Sequence, residues 1–383
     1  MTPVHEVVVV GLGAAGASTL RSLARRGIPA LGLDRFRPPH ARGSSHGETR
    51  IIRKAYFENP LYVPMVERAQ TGWEELERET STNLLSPCPA VMVGPGDGPL
   101  VRGARASAQS HGIPFREWGG NEAEGQMPWL RLPPGFRCFE ESGAGVLRPE
   151  TAIEATLTSA RNHGARIRMD ARLQAWRVQS DGLVALEVET GEEGPQELMA
   201  RRVVLAAGAW NPQLLARLKL PFQVERQIFF WFRPRDSHHS YALGHFPVVL
   251  WESEPDRIHY VIPDVGSGVK AALHHGGVTV DPDGDRPDPL RGELEAVRQA
   301  LERTLPGVPG VMQSHATCLY TNVPDHDFIL DHHPFHSQVV VASPCSGHGF
   351  KFAPILGEIL ADLAEHIPPP FDLTPFRISR WDQ

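Results

Sequence analysis

Val8-Val9-Val10-Gly11-Leu12-Gly13-Ala14-Ala15-Gly16, followed by Leu31-Gly32-Leu33-Asp34, is the stretch that decides the fold. It reads as an apolar strand, a Gly-x-Gly-x-x-Gly turn, a helix, and a second strand ending in an acid. Gly11 permits the tight turn, Gly13 lets backbone approach a pyrophosphate, and Gly16 lets helix and strand pack closely. The helix N-terminus offers unpaired N–H groups and the positive end of its dipole to phosphates. Asp34 stands about 20 residues on, where an acid binds an adenosine ribose hydroxyl. The pattern points to a bound dinucleotide and leaves NAD and FAD both open.

Length and composition narrow the class. At 383 residues the chain suggests two domains, with hydrophobic and charged fractions ordinary for a globular protein. A net charge of −7 argues against a nucleic-acid or anionic-membrane partner. No apolar run is long enough to cross a bilayer. The first strand begins almost at once, leaving no room for a signal or transit peptide, and the terminal Arg380-Trp381-Asp382-Gln383 is not a peroxisomal address. Cys88, Cys138, Cys318 and Cys345 are widely spaced, as in a reducing compartment. A cytoplasmic enzyme with no metal is the expectation.

Hydrophobic periodicity predicts helices over 17–26, 61–79, 150–163, 290–304 and 352–366, and a small antiparallel sheet over 166–199. Residues 202–210 read as a buried strand entering a glycine turn, 223–274 as a further run of strands, and 339–342 as a short strand. Proline and glycine at 86–99 and 128–135 suggest loops at a change of domain. The expected architecture is mixed α/β: a Rossmann-like dinucleotide domain (1–80, 145–215 and 311–383) interleaved with a strand-rich substrate domain (81–144 and 216–310).

Two loops point further, to a flavin. Gly43-Ser44-Ser45-His46-Gly47-Glu48-Thr49-Arg50-Ile51-Ile52-Arg53 packs small residues, a histidine and two arginines after the second strand. Ser346-Gly347-His348-Gly349-Phe350-Lys351-Phe352 is a glycine turn opening the last helix, whose N-terminus would stabilise negative charge on a reduced isoalloxazine. With Ala207-Gly208-Ala209-Trp210, Thr317-Cys318-Leu319-Tyr320-Thr321, Asp325–Asp331 and Phe371–Arg380, these segments resemble the monomeric sarcosine oxidase family over essentially the whole chain. That family includes N-methyltryptophan oxidase and the pipecolate oxidases. His40–Gly47, Arg50–Tyr56 and the tail Phe371–Arg380 look closest to the pipecolate branch.

The resemblance implies a flavoenzyme that oxidises secondary amino acids such as sarcosine, pipecolate or proline. It implies an FAD domain of the para-hydroxybenzoate-hydroxylase type, a substrate domain on a mixed sheet, and a monomer. Cys318 matches the cysteine joined to the flavin 8-methyl group, although a lone cysteine is ordinarily a small buried hydrophobe. Arg53 and Lys351 match the pair that holds the substrate carboxylate, a task suited to a planar fork and a compact cation. Lys270 matches the lysine on which oxygen activation depends. His274, four residues on and so on the same strand face, matches a substrate-cavity histidine, and Tyr260 a cavity tyrosine; His275 points the other way. Arg50, His46 and Tyr320 match residues near flavin or substrate. Contacts to FAD are further implied for Gly11, Gly13, Ala14, Ala15, Gly16, Asp34, Arg35, Ser44, Ser45, Thr49, Leu173, Ala207, Gly208, Trp210, Gly347, His348, Gly349 and Phe350.

The implied reaction passes a hydride equivalent from a neutral amine to the flavin, releases an imine, and returns the electrons to O₂ as hydrogen peroxide. A flavin dehydrogenase using another acceptor, and a non-catalytic nucleotide-binding protein, are the alternatives. Two departures from the family pattern stand out. Pro344-Cys345 replaces an Ala-Gly-Phe-like stretch, removing an N–H and adding a thiol. Trp251, counted back from Tyr260, falls where relatives carry a cavity-lining residue, and its bulk would reshape the pocket.

Overall fold

Strand Val4–Val10 alternates between two cores. Val7 and Val9 face one core, shared with helices Ala14–Arg25, Pro149–Asn162 and Ala353–Ala364. Val8 and Val10 face another, shared with strands Ala171–Val178 and Val184–Thr190. This computed structural model describes residues 3–191, 194–236, 238–254, 257–286 and 288–381. Val4–Val10 pairs in parallel with Ala30–Leu33 on one side and Gly194–Leu205 on the other, and Arg166–Arg168 and His336–Ser343 extend the parallel core. Helix Ala14–Arg25 makes the first strand-to-strand crossover, as a parallel pair requires.

Gly194–Leu205 belongs to two ladders. Its first half closes an antiparallel meander with Ala171–Val178 and Val184–Thr190, and its second half joins the parallel core. The antiparallel sheet expected from 166 therefore begins at 171. Arg166–Arg168 pairs instead with Ala30–Leu33, and the chain reverses through Asp170, at φ +54°.

The second sheet is mixed. Val248–Glu254 runs parallel to Ala90–Pro95, and the other pairings are antiparallel. Val311–Asn322, expected with the dinucleotide unit, pairs along its length with Gln223–Arg233 and so belongs to this sheet. The ladder ties that strand to the second sheet before the chain returns to Ile329–His333. A third, three-stranded sheet (Arg50–Ile52, Leu85–Pro87, Gly145–Leu147) lies where the chain passes between the units.

Most expected helices start or stop within a few residues of the observed ones. Helix Pro99–His111 was not expected; it starts at the last residue of the Pro/Gly-rich stretch 86–99. Pro99 occupies its first turn, where the missing N–H has no intrahelical partner to lose, and Gly112 closes it at φ +66°.

Candidate active site

The glycine turn is built by contacts only glycine allows. Gly11 sits at φ +86°, and a Cβ on Gly16 would stand 1.7 Å from the Gly11 carbonyl oxygen. Helix Ala14–Arg25 starts at Gly13 with no side-chain cap and no acid in its first turn. Its leading N–H groups therefore face the cleft, with Ala14 N donating to Ser45 Oγ at 3.3 Å. Asp34 is buried and accepts from Leu12 N at 2.7 Å and Phe36 N at 2.8 Å, which sets it rigidly at the end of its strand.

From this turn a cleft of about 2040 Å³, counting its mouth, runs between the two units. Its wall carries Gly11, Gly13, Ala14, Ala15, Asp34, Arg35, Ser44, Ser45, Thr49, Arg50, Leu173, Ala207, Gly208 and Trp210. It continues through Cys318, Tyr320, Gly347, His348, Gly349, Phe350 and Lys351 to Arg53, Tyr260, Lys270 and His274. Thr49 Oγ1 is buried on this wall and has no protein partner, as a group awaiting a ligand would be. Gly347 (φ +83°) lies against the Tyr320 ring, and a Cβ on Gly349 would meet the Pro344 carbonyl oxygen at 1.7 Å. Backbone amides, a bare helix start and glycines without room for a side chain fit an FAD.

Three buried cations define the inner end. Arg53 donates to both Glu58 oxygens at 2.8 and 3.0 Å and to the Ala55 carbonyl, with its guanidinium carbon 4.6 Å and 4.5 Å from the ring centres of Tyr56 and Phe57. Burial would raise the Glu58 carboxyl, but Arg53, His348 and Lys351 together outweigh it and hold Glu58 below the usual range. Glu141, buried, accepts from Lys54 N and Ala55 N and so pins the turn that carries Arg53. Lys351 Nζ donates to the His348 carbonyl at 2.8 Å and to Tyr56 Oη at 3.4 Å, leaving one N–H. Burial, and then Arg53, push Lys351 down to about 7, with Glu58 opposing. His348 is pushed down to about 3 by burial. Its Nε2 is 2.9 Å from the His326 carbonyl and must carry the proton, so Nδ1 accepts from Tyr56 Oη at 2.6 Å. The neutral tautomer is fixed by the fold.

Lys270 is held differently. Its Nζ donates to the Gly47 carbonyl at 2.7 Å and the Thr49 carbonyl at 3.2 Å, and lies 4.1 Å from the centre of the Phe229 ring. Burial, then Arg50, pull it well below the usual lysine value. Gly47 takes φ +101° to present that carbonyl, and Glu150 accepts its N–H. Cys318 is buried beside Phe229 and Ala272, and burial raises its thiol while Arg50, Lys270 and Arg286 oppose.

Two expected contacts lie off the wall. Gly16 packs behind the turn, where it sets the helix spacing. His46 is buried 6.0 Å from the Phe229 ring, and burial, then Arg50 and Lys270, push it down to about 3, so it is a neutral spacer among cations. Trp251 also faces away. It pairs across the ladder with His259, while its neighbour Leu250 pairs with Tyr260 and lines the cleft. A one-residue step turns a side chain to the opposite face, so Trp251 packs on His259 and Phe136 in another core. Pro344 and Cys345 do line the cleft. Glu58, Glu141 and Phe229 were not anticipated. Only Phe229 had a sequence signal, as an aromatic in the apolar run Ile228–Phe232 of strand Gln223–Arg233.

Comparison with known proteins places this geometry. The chain is an FAD-dependent oxidoreductase: residues 6–363 match the family model described as FAD dependent oxidoreductase. It is 36% identical over 368 residues to monomeric sarcosine oxidase of Streptomyces avermitilis, covering 95% of this chain and 94% of that one. It is 34% identical to N-methyl-L-tryptophan oxidase of Salmonella arizonae, covering 99% and 100%. More distantly, its fold matches L-proline dehydrogenase from P. horikoshii (TM-score 0.83, 18% identity, 100% and 99% covered) and glycine oxidase from Geobacillus kaustophilus (TM-score 0.78, 20% identity, 98% of each chain). Within the FAD-dependent oxidoreductases, the chain belongs to the monomeric sarcosine oxidase family. It is a flavin-dependent enzyme acting on the CH–NH group of its donor. No described helix is long and apolar enough to cross a membrane.

Proposed function

We propose that this chain is a cytoplasmic, monomeric oxidase of secondary amino acids, with sarcosine as the first candidate substrate, that uses an FAD joined to Cys318 and passes its electrons to O₂. The observation that carries the reading is that Arg53, Lys351 and Lys270 are all buried and all line the cleft that starts at the glycine turn. When bound, FAD supplies the two-electron acceptor.

Lys351 offers its remaining N–H to the substrate carboxylate, and Arg53 adds the neighbouring charge as Glu58 shares or yields its fork. Clamping the acid end presents the carbon next to nitrogen for hydride loss, which is catalysis by orientation. Burial holds His274 well below its usual value, so the groups facing the amine favour its neutral, reactive form. Lys270, fixed by two carbonyls, has one further N–H to donate, which would stabilise the negative charge that O₂ gains on taking its first electron. Arg50, Lys270 and Arg286 lower the barrier to the Cys318 thiolate that a thioether requires.

A cyclic imino acid such as L-pipecolate or L-proline is the second reading, favoured by the apolar wall of Leu250, Ile258 and Ile262 beside Tyr260. N-methyl-L-tryptophan is a third, bulkier candidate. The test is peroxide release under air with these four substrates side by side, comparing kcat/KM. Preference for sarcosine supports the first reading, and preference for a cyclic substrate the second. Turnover with an artificial acceptor but no oxygen uptake would make the enzyme a dehydrogenase, and a yellow protein silent with all four would overturn the assignment.

A further inference from the structure

Glu48 takes φ +65° although it carries a side chain, and Gly47 before it takes φ +101°. Thr49 N donates to the Gly47 carbonyl at 2.7 Å, so Glu48 stands at the centre of a γ-turn of the rare, positive-φ kind. A residue with a Cβ keeps that conformation only where its surroundings impose it. The turn has a visible product. In an extended strand the carbonyls of residues i and i+2 lie about 6.6 Å apart. Here those of Gly47 and Thr49 come within 2.7 and 3.2 Å of one atom, Lys270 Nζ. A Cβ on Gly47 would stand 3.3 Å from that Nζ and 2.6 Å from Phe229 Cζ, so the lysine head packs against the turn itself.

Two carboxylates impose the turn. Glu150 accepts from Gly47 N through Oε1 and from Glu48 N through both oxygens, at 3.1 and 3.2 Å. Glu48 Oε1 in turn accepts from Ser267 Oγ at 3.0 Å, three residues before Lys270. Glu150 comes from the first turn of helix Pro149–Asn162, where the helix dipole favours its charge. That helix follows strand Gly145–Leu147, which pairs with Arg50–Ile52 and so sets the helix start beside the turn. Neither Glu48 nor Glu150 is on the cleft wall. Burial and then Arg50 work against the Lys270 ammonium, while Cys318, Glu150 and Glu48 support it; His46, also near, is neutral. With Cys318 spent in the proposed thioether, the two glutamates are what remains of that support.

We propose that Glu150 and Glu48 are positioning residues for the oxygen step, locking the turn Gly47–Thr49 so that its two carbonyls hold the head of Lys270 in one place. The proposal rests on the oxygen reading of Lys270 given above. Their negative charge serves the same end by favouring the ammonium over the amine.

The experiment uses the full-length holoenzyme. Stopped flow gives the rate at which O₂ reoxidises the reduced enzyme and, separately, the rate of anaerobic reduction by substrate. Glu150→Ala frees both N–H groups and is expected to slow reoxidation about tenfold to a hundredfold, the scale of a small misplacement, while leaving reduction nearly unchanged. Glu150→Gln keeps an acceptor and loses the charge, so it should fall between that variant and the parent. In a Lys270→Met background Glu150→Ala should add no further slowing, since its effect runs through the lysine. The chain has four lysines, Lys54, Lys219, Lys270 and Lys351, so NMR of ε-¹³C-lysine protein resolves Lys270, identified by its loss in Lys270→Met. Its titration should move to lower pH in Glu150→Gln and in Glu48→Gly, because each removes a negative neighbour. Glycine at 48 accepts the positive φ without strain.

A glutamate that merely supports the fold would slow both half-reactions, add to Lys270→Met and leave the lysine titration in place; that result overturns the proposal. Should Glu150→Ala fail to fold, Glu150→Gln and Glu48→Gly decide by the same criteria. Parent-rate reoxidation in the Glu150 variants beside a slow Lys270→Met overturns the positioning role alone. Lys270→Met reoxidised at the parent rate overturns the oxygen reading, and with it the step named here.

Discussion

The two ends of the cleft bind by different means. At the dinucleotide end the working groups are main-chain amides, a bare helix start and glycines against which no Cβ fits. Asp34 acts there within its own neighbourhood, on Leu12 and Phe36. At the end where we propose the amino acid binds, the groups are long basic side chains from both units, each buried and held by carbonyl oxygens or a carboxylate. A site made of backbone tolerates no change in local shape. One made of buried charge depends on every partner that offsets its desolvation.

Reoxidation tests the second kind of site hardest. Lys270→Met should slow the reaction of reduced enzyme with O₂ by about 10²–10³, the effect of losing one preorganised charge donor. Anaerobic reduction by substrate should be nearly unchanged, and stopped-flow measurement of the two half-reactions separates them. Equal slowing of both would place Lys270 in substrate binding instead.

The first kind is broken by a single methyl. Gly16→Ala drives a Cβ into the Gly11 carbonyl. At about 1–3 kcal/mol for an overpacked contact, FAD binding should weaken roughly tenfold to a hundredfold in a Cys318→Ala background, measured by fluorescence titration.

Smaller effects sharpen the contrast. Lys351→Gln should raise KM for the amino acid about tenfold, the lower range for loss of a charged hydrogen bond, and steady-state oxygen uptake reads it. Because Lys351 is pushed down to about 7, its ammonium is present below that pH and lost above it. Acetate, a carboxylate with no amine to titrate, should therefore bind several-fold more weakly at about pH 8 than at about pH 6, and Lys351→Gln should flatten that dependence. The probe is perturbation of the flavin spectrum. Last, Glu58→Gln removes the charge that competes for Arg53. It should tighten acetate about two- to fivefold, the scale of one partly exposed ion pair, and weaker binding would make Glu58 a support of the Arg53 geometry.

How much of this was legible varies residue by residue. Gly11, Gly13, Gly16 and Asp34 declared themselves because strand, turn, helix and acid are consecutive, and each glycine answers a local steric demand. Lys270 and His274 were readable as one face of a strand. The partners that decide their state were not. Glu58 lies close to Arg53 in sequence, yet nothing local says that its carboxylate folds back onto the guanidinium. Glu141 reaches the same turn from another sheet. Trp251 was read onto the cleft because counting along a strand gives a position without the ladder register that pairs Leu250, and not Trp251, with Tyr260.

The sequence by itself determined the dinucleotide turn, the mixed α/β architecture, the family and the identity of the cationic side chains, since these follow from local sterics, periodicity and motif. Only the tertiary structure decided which cations are already engaged, which histidine tautomer is present, and which face of Val248–Glu254 meets the cleft. The reason is physical. Backbone conformation is set by neighbours in the chain, whereas the charge state and reach of a buried side chain are set by whatever the fold packs against it.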